Sequence, residues 1–470
     1  MIPLPLSGIA AAVSGRLVLR ADVAPETIVD GPSTTDSREV VAGGIFFAKR
    51  GEVTDGHLFA PQAVERGAAL LVVERELDLD VPQVVVGDTV TALGALAKHI
   101  VAAVRALGRL TVVAVTGSNG KTTTKNLLRS ILSEVGSVVA PRGSLNNEVG
   151  APITMLQVDA ATDFLVAEYG AGHLGEIAHL VSLARPDVAI VLKVGLAHVG
   201  EFGGVEAIFR AKSEMVTALR EGDIAVLNID DRRVAEMAPL TRATPLWFGL
   251  GPGAQVTARE IEASAEGTVF TLVLPDGESA PVRFRVLGEH HVMNALAAAA
   301  ASHALGVPIA AIVAGLEAVT RAERWRMEVL GGRDGVVVVN DAYNASPDSM
   351  TAALRTLATI KKPGHKTIAV LGTMAELGEH SGEAHDQVGL DVVVLGIDRL
   401  VVVGPDARRM HVAAQREGTF FSDESQYVET VDEAYALVMA MVEPGDTILV
   451  KSSNSAGLRF LGDRLGESFS

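Results

Sequence analysis

Residues 112–124 read Val-Val-Ala-Val-Thr-Gly-Ser-Asn-Gly-Lys-Thr-Thr-Thr, and this stretch decides the fold. Its first half is a short β-branched apolar run, the composition of a buried parallel strand. Its second half is a glycine-punctuated turn carrying Lys121 and three threonines. Residues 125–134 follow, with Leu127, Leu128, Ile131 and Leu132 at helical spacing. Strand, glycine turn, Lys-Thr and helix is the arrangement that wraps nucleotide phosphates. Gly117 and Gly120 let the backbone approach phosphate oxygens with no Cβ in the way. The amides of the turn and the free N–H groups of the helix start point at the anion. Lys121 adds a point charge, and the Thr122 hydroxyl is placed to ligate Mg²⁺, which prefers oxygen ligands. The standard phosphate loop is G-x-x-x-x-G-K-[ST]. Val115 stands where its first glycine would be, so the loop here is a shortened G-x-x-G-K-T. That departure points away from a generic GTPase or motor.

The rest of the chain narrows the class. A length of 470 residues predicts about two to four domains. Apolar residues make up 48% and aromatics only 4%, so the cores must be built from Ala, Val, Leu and Ile. A net charge of −17 argues against a nucleic-acid partner, because nothing offsets phosphate repulsion over a large footprint. There are no cysteines, which excludes disulfides, thiolate nucleophiles and zinc–thiolate sites. Residues 1–13 are apolar but lack a leading basic region, so they do not read as a secretion signal. The Ala-rich run 295–319 is interrupted by Ser302, His303, Gly306 and Pro308 and reads as two packed helices rather than a membrane span. The expectation is a soluble cytoplasmic protein with no membrane insertion.

Three units are expected: residues 1–86, 87–322 and 323–470. The first is a small α/β unit with strands at 44–48, 69–73 and 81–86. Its polar clusters, Asp36-Ser37-Arg38 and Lys49-Arg50-Gly51, flank the first of these strands and read either as an anion or nucleotide pocket or as solvated loops. In the second unit an amphipathic helix at 89–107 leads into the phosphate loop. Strands then end at Glu168, before Gly195-Leu196-Ala197-His198, and at Asn228. Polar residues at the carboxyl ends of successive parallel strands are where open α/β sheets place ligands. Glu168 and His198 are therefore candidates for Mg²⁺ or phosphate chemistry beside Lys121. Residues 254–287 alternate and turn at Asp276-Gly277, as antiparallel hairpins do. Helices resume at residue 288, where Asn294 lies at the polar end. The third unit has strands at 335–339, 366–371, 399–403 and 446–450, with polar clusters again where strands end.

These motifs, in this order, resemble the Mur ligase superfamily of ATP-dependent peptide-bond-forming enzymes, over nearly the whole chain. The resemblance rests on Thr116-Gly117-Ser118-Asn119-Gly120-Lys121-Thr122-Thr123, on Glu168, His198 and Lys212, on Gly288-x-His290 with Asn294, and on Arg326 and Asp341. Three further stretches are similar to the branch that adds D-alanyl-D-alanine to a UDP-N-acetylmuramoyl-tripeptide. They are Asn146-Asn147-Glu148-Val149-Gly150-Ala151-Pro152, Asp341-Ala342-Tyr343-Asn344-Ala345-Ser346-Pro347-Asp348-Ser349-Met350 and Met374-Ala375-Glu376-Leu377-Gly378-Glu379. The resemblance implies an α/β fold of three domains. A central phosphate-loop domain with a mostly parallel sheet flanked by helices would bind ATP. A small N-terminal α/β domain would bind the UDP sugar, and a C-terminal Rossmann-like α/β domain the dipeptide.

It also implies roles. Gly117, Ser118, Asn119, Gly120, Lys121, Thr122 and Thr123 would hold the ATP phosphates, with Asn294, Arg326 and Asp341 contacting the rest of the nucleotide. Thr122 and Glu168 would hold Mg²⁺, and His198 with a carbamylated Lys212 a second Mg²⁺. Lys121, Glu168, His198 and Lys212 form the implied catalytic set. Ser37, Arg38, Lys49, Asn147 and Asn344 would contact substrate, in a monomeric enzyme. One departure is Lys451-Ser452-Ser453-Asn454 where the family usually has Lys-Gly-Ser-Arg, replacing a guanidinium by a neutral amide. A folylpolyglutamate synthase-like ligase, a ligase adding a single amino acid and a phosphate-loop switch are the competing readings.

Overall fold

The computed structural model describes residues 1–51, 53–195, 199–264, 266–321, 323–417 and 423–470. Three α/β units follow one another, each organised by its own sheet. In the first, strands Ser33–Thr34, Ile45–Phe47, Leu70–Val73 and Gln83–Val85 pair in parallel, and Arg16–Val18 closes the far edge antiparallel to Gln83–Val85.

The central sheet has six parallel strands in the order Thr244–Phe248, Ile224–Asn228, Val188–Val191, Thr111–Thr116, Phe164–Glu168, Val138–Val139. Both of its faces are covered. Val112, Ala114, Leu165, Ala167, Ala189 and Val191 pack into one core, while Val113, Val115, Val166, Val188 and Ile190 pack into the other. That is why these strands read as continuous apolar runs. Register places Glu168 opposite Val115 and Val191 opposite Thr116, so the polar strand ends meet at the phosphate loop. The loop's helix, Lys121–Ser133, begins four residues earlier than the leucine spacing implies, because the threonines form its first turn. Helices His290–Ala304 and Ile309–Ala318 cover it. Their close approach depends on small side chains. Ala295 and Ala297 to Ala301 are fully buried, and a Cβ on Gly315 would fall 2.4 Å from the Ile131 Cα.

The segment 254–287 forms the expected antiparallel sheet, with strands Thr257–Ser264, Gly267–Val273 and Ser279–Phe284. In the last unit, strand Glu328–Gly331 runs antiparallel to Val337–Asn340. Strands Thr447–Lys451, Thr367–Leu371, Arg399–Val403 and Ser425–Val428 then continue in parallel.

Helix Thr89–Ala106, capped by Asp88 Oδ1 accepting the Thr91 N–H at 2.6 Å, joins the first two units. Leu93, Leu96, Ile100 and Val104 lie in a core that also holds Ile45, Phe47 and Val84 from the first sheet and Val112 and Ala114 from the second. It is the one described helix long and apolar enough to cross a membrane. Its apolar positions are occupied by this packing, as in a core helix.

Candidate active site

The phosphate loop takes the shape its glycines allow. Gly120 sits in the left-handed region at φ 86°, and a Cβ there would lie 2.3 Å from Asn294 Oδ1. The strand Val188–Val191 ends earlier than the apolar run 188–194 implies. The residues after it form a loop that braces the phosphate loop. Ser118 donates its N–H to the Lys193 carbonyl at 2.8 Å, and the Gly195 N–H donates to Ser118 Oγ at 2.9 Å.

Lys121 Nζ donates to the Gly117 carbonyl at 2.7 Å, folded back over its own loop. Burial lowers its pKa; the Glu168 charge opposes this and the Arg326 charge adds to it. Glu168 is buried, and its Oε1 accepts from Asn146 Nδ2 at 2.8 Å and from Thr122 Oγ1 at 3.4 Å. Its Oε2 is buried with no partner. A buried carboxylate oxygen left open beside a threonine hydroxyl and a phosphate loop is the donor set that suits Mg²⁺ shared with phosphate oxygens. Among the described residues no cluster of three or more His, Asp or Glu forms a metal cage.

On the next wall, His290 and His291 stack with ring centroids 4.1 Å apart. Burial lowers His290 to about 4 and pushes His291 well below the ordinary histidine range, which favours the neutral ring in both. Asn294 Nδ2 lies 3.0 Å from His291 Nδ1. With the amide donating, His291 carries its proton on Nε2, a buried atom without a partner.

The C-terminal unit supplies the opposite wall. Arg326 lies between Trp325 and Met327, both in the left-handed region at φ 59° and 49°. Its guanidinium stacks 4.4 Å above the Tyr343 ring, and its buried Nε has no partner. Asp341 Oδ2 accepts from Lys451 Nζ at 2.6 Å, and Asp341 Oδ1 accepts from the Met327 N–H at 3.0 Å. Lys451 also donates to the Asn344 carbonyl at 3.0 Å. Three contacts cross the cleft between the two units: Ser144 Oγ with Tyr343 Oη at 2.7 Å, Ser346 Oγ to Asn119 Oδ1 at 3.4 Å, and Lys193 with Asp348 at 3.2 Å. The cleft between them has a volume of about 1100 Å³.

Most of the expected residues meet here. Ser118 to Thr123, Asn147, Glu168, Asn294, Arg326, Asp341 and Asn344 all line the cleft. Asn147 Oδ1 is engaged by the Gly150 N–H at 2.9 Å. Ser37, Arg38 and Lys49 lie apart, in the first unit. There Ser37 Oγ donates to Gln62 Oε1 at 2.6 Å, and Arg38 pairs with Asp36, holding that carboxyl down at about 2. His198 lies outside the described residues. Lys212 is buried in helix Val205–Thr217, its ammonium 5.7 Å from the Phe202 ring centroid. It does not line the cleft. Burial, joined by the Lys121 charge and opposed by Glu176 and Glu214, lowers Lys212 to about 7. Asn454, which stands where the family usually has arginine, lines the cleft, and its carbonyl accepts from Arg459 Nη1 at 3.2 Å.

The sequence reading passed over Lys125, Lys193 and Lys451 as site residues. Lys125 is buried one turn beyond Lys121, and its ammonium donates to the carbonyls of Pro141 at 2.8 Å and Gly143 at 3.0 Å. It thereby holds the loop that carries Ser144, Asn146 and Asn147. Burial lowers its pKa to about 8. Its place directly after Lys-Thr-Thr-Thr, on the face shared with Lys121, was the available signal.

Residues 33–109 match the Mur ligase family catalytic domain, 115–302 the Mur ligase middle domain, and 325–454 the Mur ligase glutamate ligase domain. A UDP-N-acetylmuramoyl-tripeptide–D-alanyl-D-alanine ligase of Mycobacterium tuberculosis is 40% identical, covering 99% of this chain and 98% of that protein. The chain belongs to the Mur ligase family. Its fold agrees with those of solved relatives. A crystal structure of MurF from Acinetobacter baumannii superposes with a TM-score of 0.88 at 34% identity, covering 99% of both chains. A MurF ligase from Thermotoga maritima, solved in complex with ADP, gives 0.79 at 29% identity over 93% of this chain and 97% of that one. Within this Mur ligase, the cleft is where the middle and glutamate ligase domains face each other.

Proposed function

We infer that this Mur ligase joins D-alanyl-D-alanine to a UDP-N-acetylmuramoyl-tripeptide at the expense of ATP, in peptidoglycan precursor synthesis. The observation that carries the reading is full-length similarity to curated ligases of that activity, joined to a cleft with a phosphate loop on one wall and a second α/β domain on the other.

The chemistry proceeds in steps. The terminal carboxylate of the tripeptide attacks the γ-phosphorus of ATP, and an acyl phosphate forms with release of ADP. The dipeptide amine then attacks the acyl carbon through a tetrahedral intermediate, and phosphate leaves. Little covalent help is required, so catalysis is positioning and charge neutralisation in a closed, water-poor cleft. Gly117, Ser118, Asn119, Gly120 and Thr123 cradle the phosphates with backbone and hydroxyl donors, and Lys121 turns from the Gly117 carbonyl to the transferring phosphoryl group. Thr122 and Glu168 would hold Mg²⁺, which offsets charge on the phosphate oxygens when bound. Asn294 and the His291 Nε2–H face the base, Arg326 contributes its free Nε, and Asp341 is oriented by Lys451. Asn147 and Asn344 contact the peptide, while Ser37, Arg38 and Lys49 form the uridine-diphosphate end of the substrate site in the N-terminal domain, residues 1–86.

Lys212 belongs to the same proposal as a carbamate. Its neutral amine adds CO₂ and releases one proton, giving an anionic oxygen ligand on a long stem; His198 would share that second metal position. The enzyme would act as a cytoplasmic monomer. The test is phosphate release from ATP and UDP-tripeptide with each acceptor in turn. Strict dependence on D-alanyl-D-alanine supports the reading. Acceptor-independent release would select a phosphate-loop switch, and a single amino acid as best acceptor would select the neighbouring ligase class.

A further inference from the structure

We propose that Asp348 receives the ammonium group of the incoming acceptor peptide, exchanging Lys193 for it; this rests on the ligase reading above. A peptide amine is largely protonated near neutral pH, with an ordinary pKa of about 8, and needs an anionic partner as it enters. Most cleft carboxylates are committed. Glu168 is bonded through Oε1 by Asn146 and Thr122, with its buried Oε2 reserved for Mg²⁺ in the reading above, and Asp341 is held by Lys451. Glu176 accepts from the Gly172 N–H at 2.8 Å, Asp230 from the Leu250 N–H at 2.7 Å, and Asp231 from the Val194 N–H at 2.9 Å. Glu376 also has a partner.

Asp348 differs in kind. Its ion pair is to the Lys193 ammonium at 3.2 Å, with side chains 37% and 44% exposed. Such a pair is screened by water and worth little, so a ligand can replace either member.

Its position fits the chemistry. Asp348 is the second residue of helix Pro347–Thr359, whose cap residue Ser346 touches Asn119 of the phosphate loop. Lys193 is fixed to the same loop through its carbonyl and Ser118. A Cβ on Gly195 would fall 2.5 Å from Asp348 Oδ2, so glycine there leaves the space that the carboxylate occupies. The pair therefore stands beside the phosphate loop, where the acyl phosphate would lie. When the ammonium takes Asp348, Lys193 is released to solvent. In the step itself the C–N bond forms, and the C–O bond to phosphate breaks with its electron pair leaving on phosphate. Of the two protons lost by the ammonium, one ends on phosphate and one passes to water.

An inter-domain strut would predict equal damage from removing either partner. An ammonium site predicts asymmetry. With ATP and UDP-tripeptide saturating, Asp348→Asn should raise KM for D-alanyl-D-alanine about tenfold or more, the scale of a hydrogen bond to a charged group. Asp348→Glu should recover part of this. Lys193→Gln should leave that KM unchanged or lower, and none of the three should alter KM for the UDP substrate. Equal rises for Asp348→Asn and Lys193→Gln, or no rise for Asp348→Asn, would overturn the proposal. Wild-type enzyme that releases phosphate without the dipeptide would overturn the ligase reading, and this inference with it.

Discussion

Replacing Gly120 with alanine tests the phosphate loop where its geometry is most constrained. The residue sits at φ 86°, which costs an L-residue about 1–2 kcal/mol. The new Cβ would also lie 2.3 Å from Asn294 Oδ1 and 3.2 Å from Leu192 Cδ1. Leu192 can yield by a few tenths of an ångström. Asn294 cannot stay, and in moving it loses its contacts with Thr124 at 3.5 Å and His291 at 3.0 Å. Each such bond contributes about 0.5–1.5 kcal/mol. The combined penalty is about 2–5 kcal/mol, which relaxation of the loop will reduce in part, so ADP affinity should fall about 10- to 100-fold. Calorimetric titration with ADP measures this directly, and UDP-substrate binding, in another domain, serves as the internal control. A variant that binds ADP within about twofold of wild type would refute the claim that this backbone shape is the nucleotide-holding one.

Three further outcomes follow from the same site. Lys121→Ala should abolish ligation and leave UDP-substrate binding nearly intact; parallel loss of both, measured by turnover and titration, would contradict the division of labour between domains. Arg38→Ala or Lys49→Ala should raise KM for the UDP substrate with KM for ATP and kcat largely unchanged, the signature of lost uniform binding, and steady-state kinetics with unchanged KM in both would return these residues to ordinary loop roles. Lys212→Ala should lose most of kcat and regain part of it with added formate or acetate. Because burial places Lys212 near 7, its neutral, CO₂-reactive form predominates above that pH; carbamate-dependent activity should therefore rise as pH climbs through about 7 at fixed dissolved CO₂. Near-normal kcat without any additive would sink the carbamate.

Much of this was legible in the chain because the central strands are buried on both faces and so spell themselves out as apolar runs. The strand before Gly117 and the strand ending at Glu168 are of this kind, whereas the hairpins of 257–284 were legible by alternation, because one face of that small sheet is exposed. Short edge strands were not. Ser33–Thr34 and Ser425–Val428 have few residues and mixed polarity, and pairing with a neighbour, not local pattern, makes them strands. The strand ends at Val191 although the apolar run continues, because Leu192 and Val194 stay buried in the cores on the two faces of the sheet after the strand has become a loop, and apolarity alone does not separate the two. Site residues announced by a glycine turn or a strand end were found. Lys125 was passed over because a lysine after a threonine run looks like surface, and Lys451, though in a polar cluster at a strand end, carried no sign of its partner; only tertiary structure shows each ammonium surrounded by carbonyls or a carboxylate. Lys193 escaped notice because its significance lies in a partner 155 positions away, across a domain boundary.

The central claim is that ATP activates the tripeptide carboxylate as an acyl phosphate. It is tested most directly with UDP-tripeptide carrying ¹⁸O in its terminal carboxylate, ATP and D-alanyl-D-alanine, followed by mass spectrometry of the released phosphate. The account predicts one ¹⁸O in each phosphate released per peptide bond formed, since the carboxylate oxygen leaves with phosphorus when the amine attacks. Phosphate released free of ¹⁸O, with the label retained in the peptide or left untouched, would contradict it.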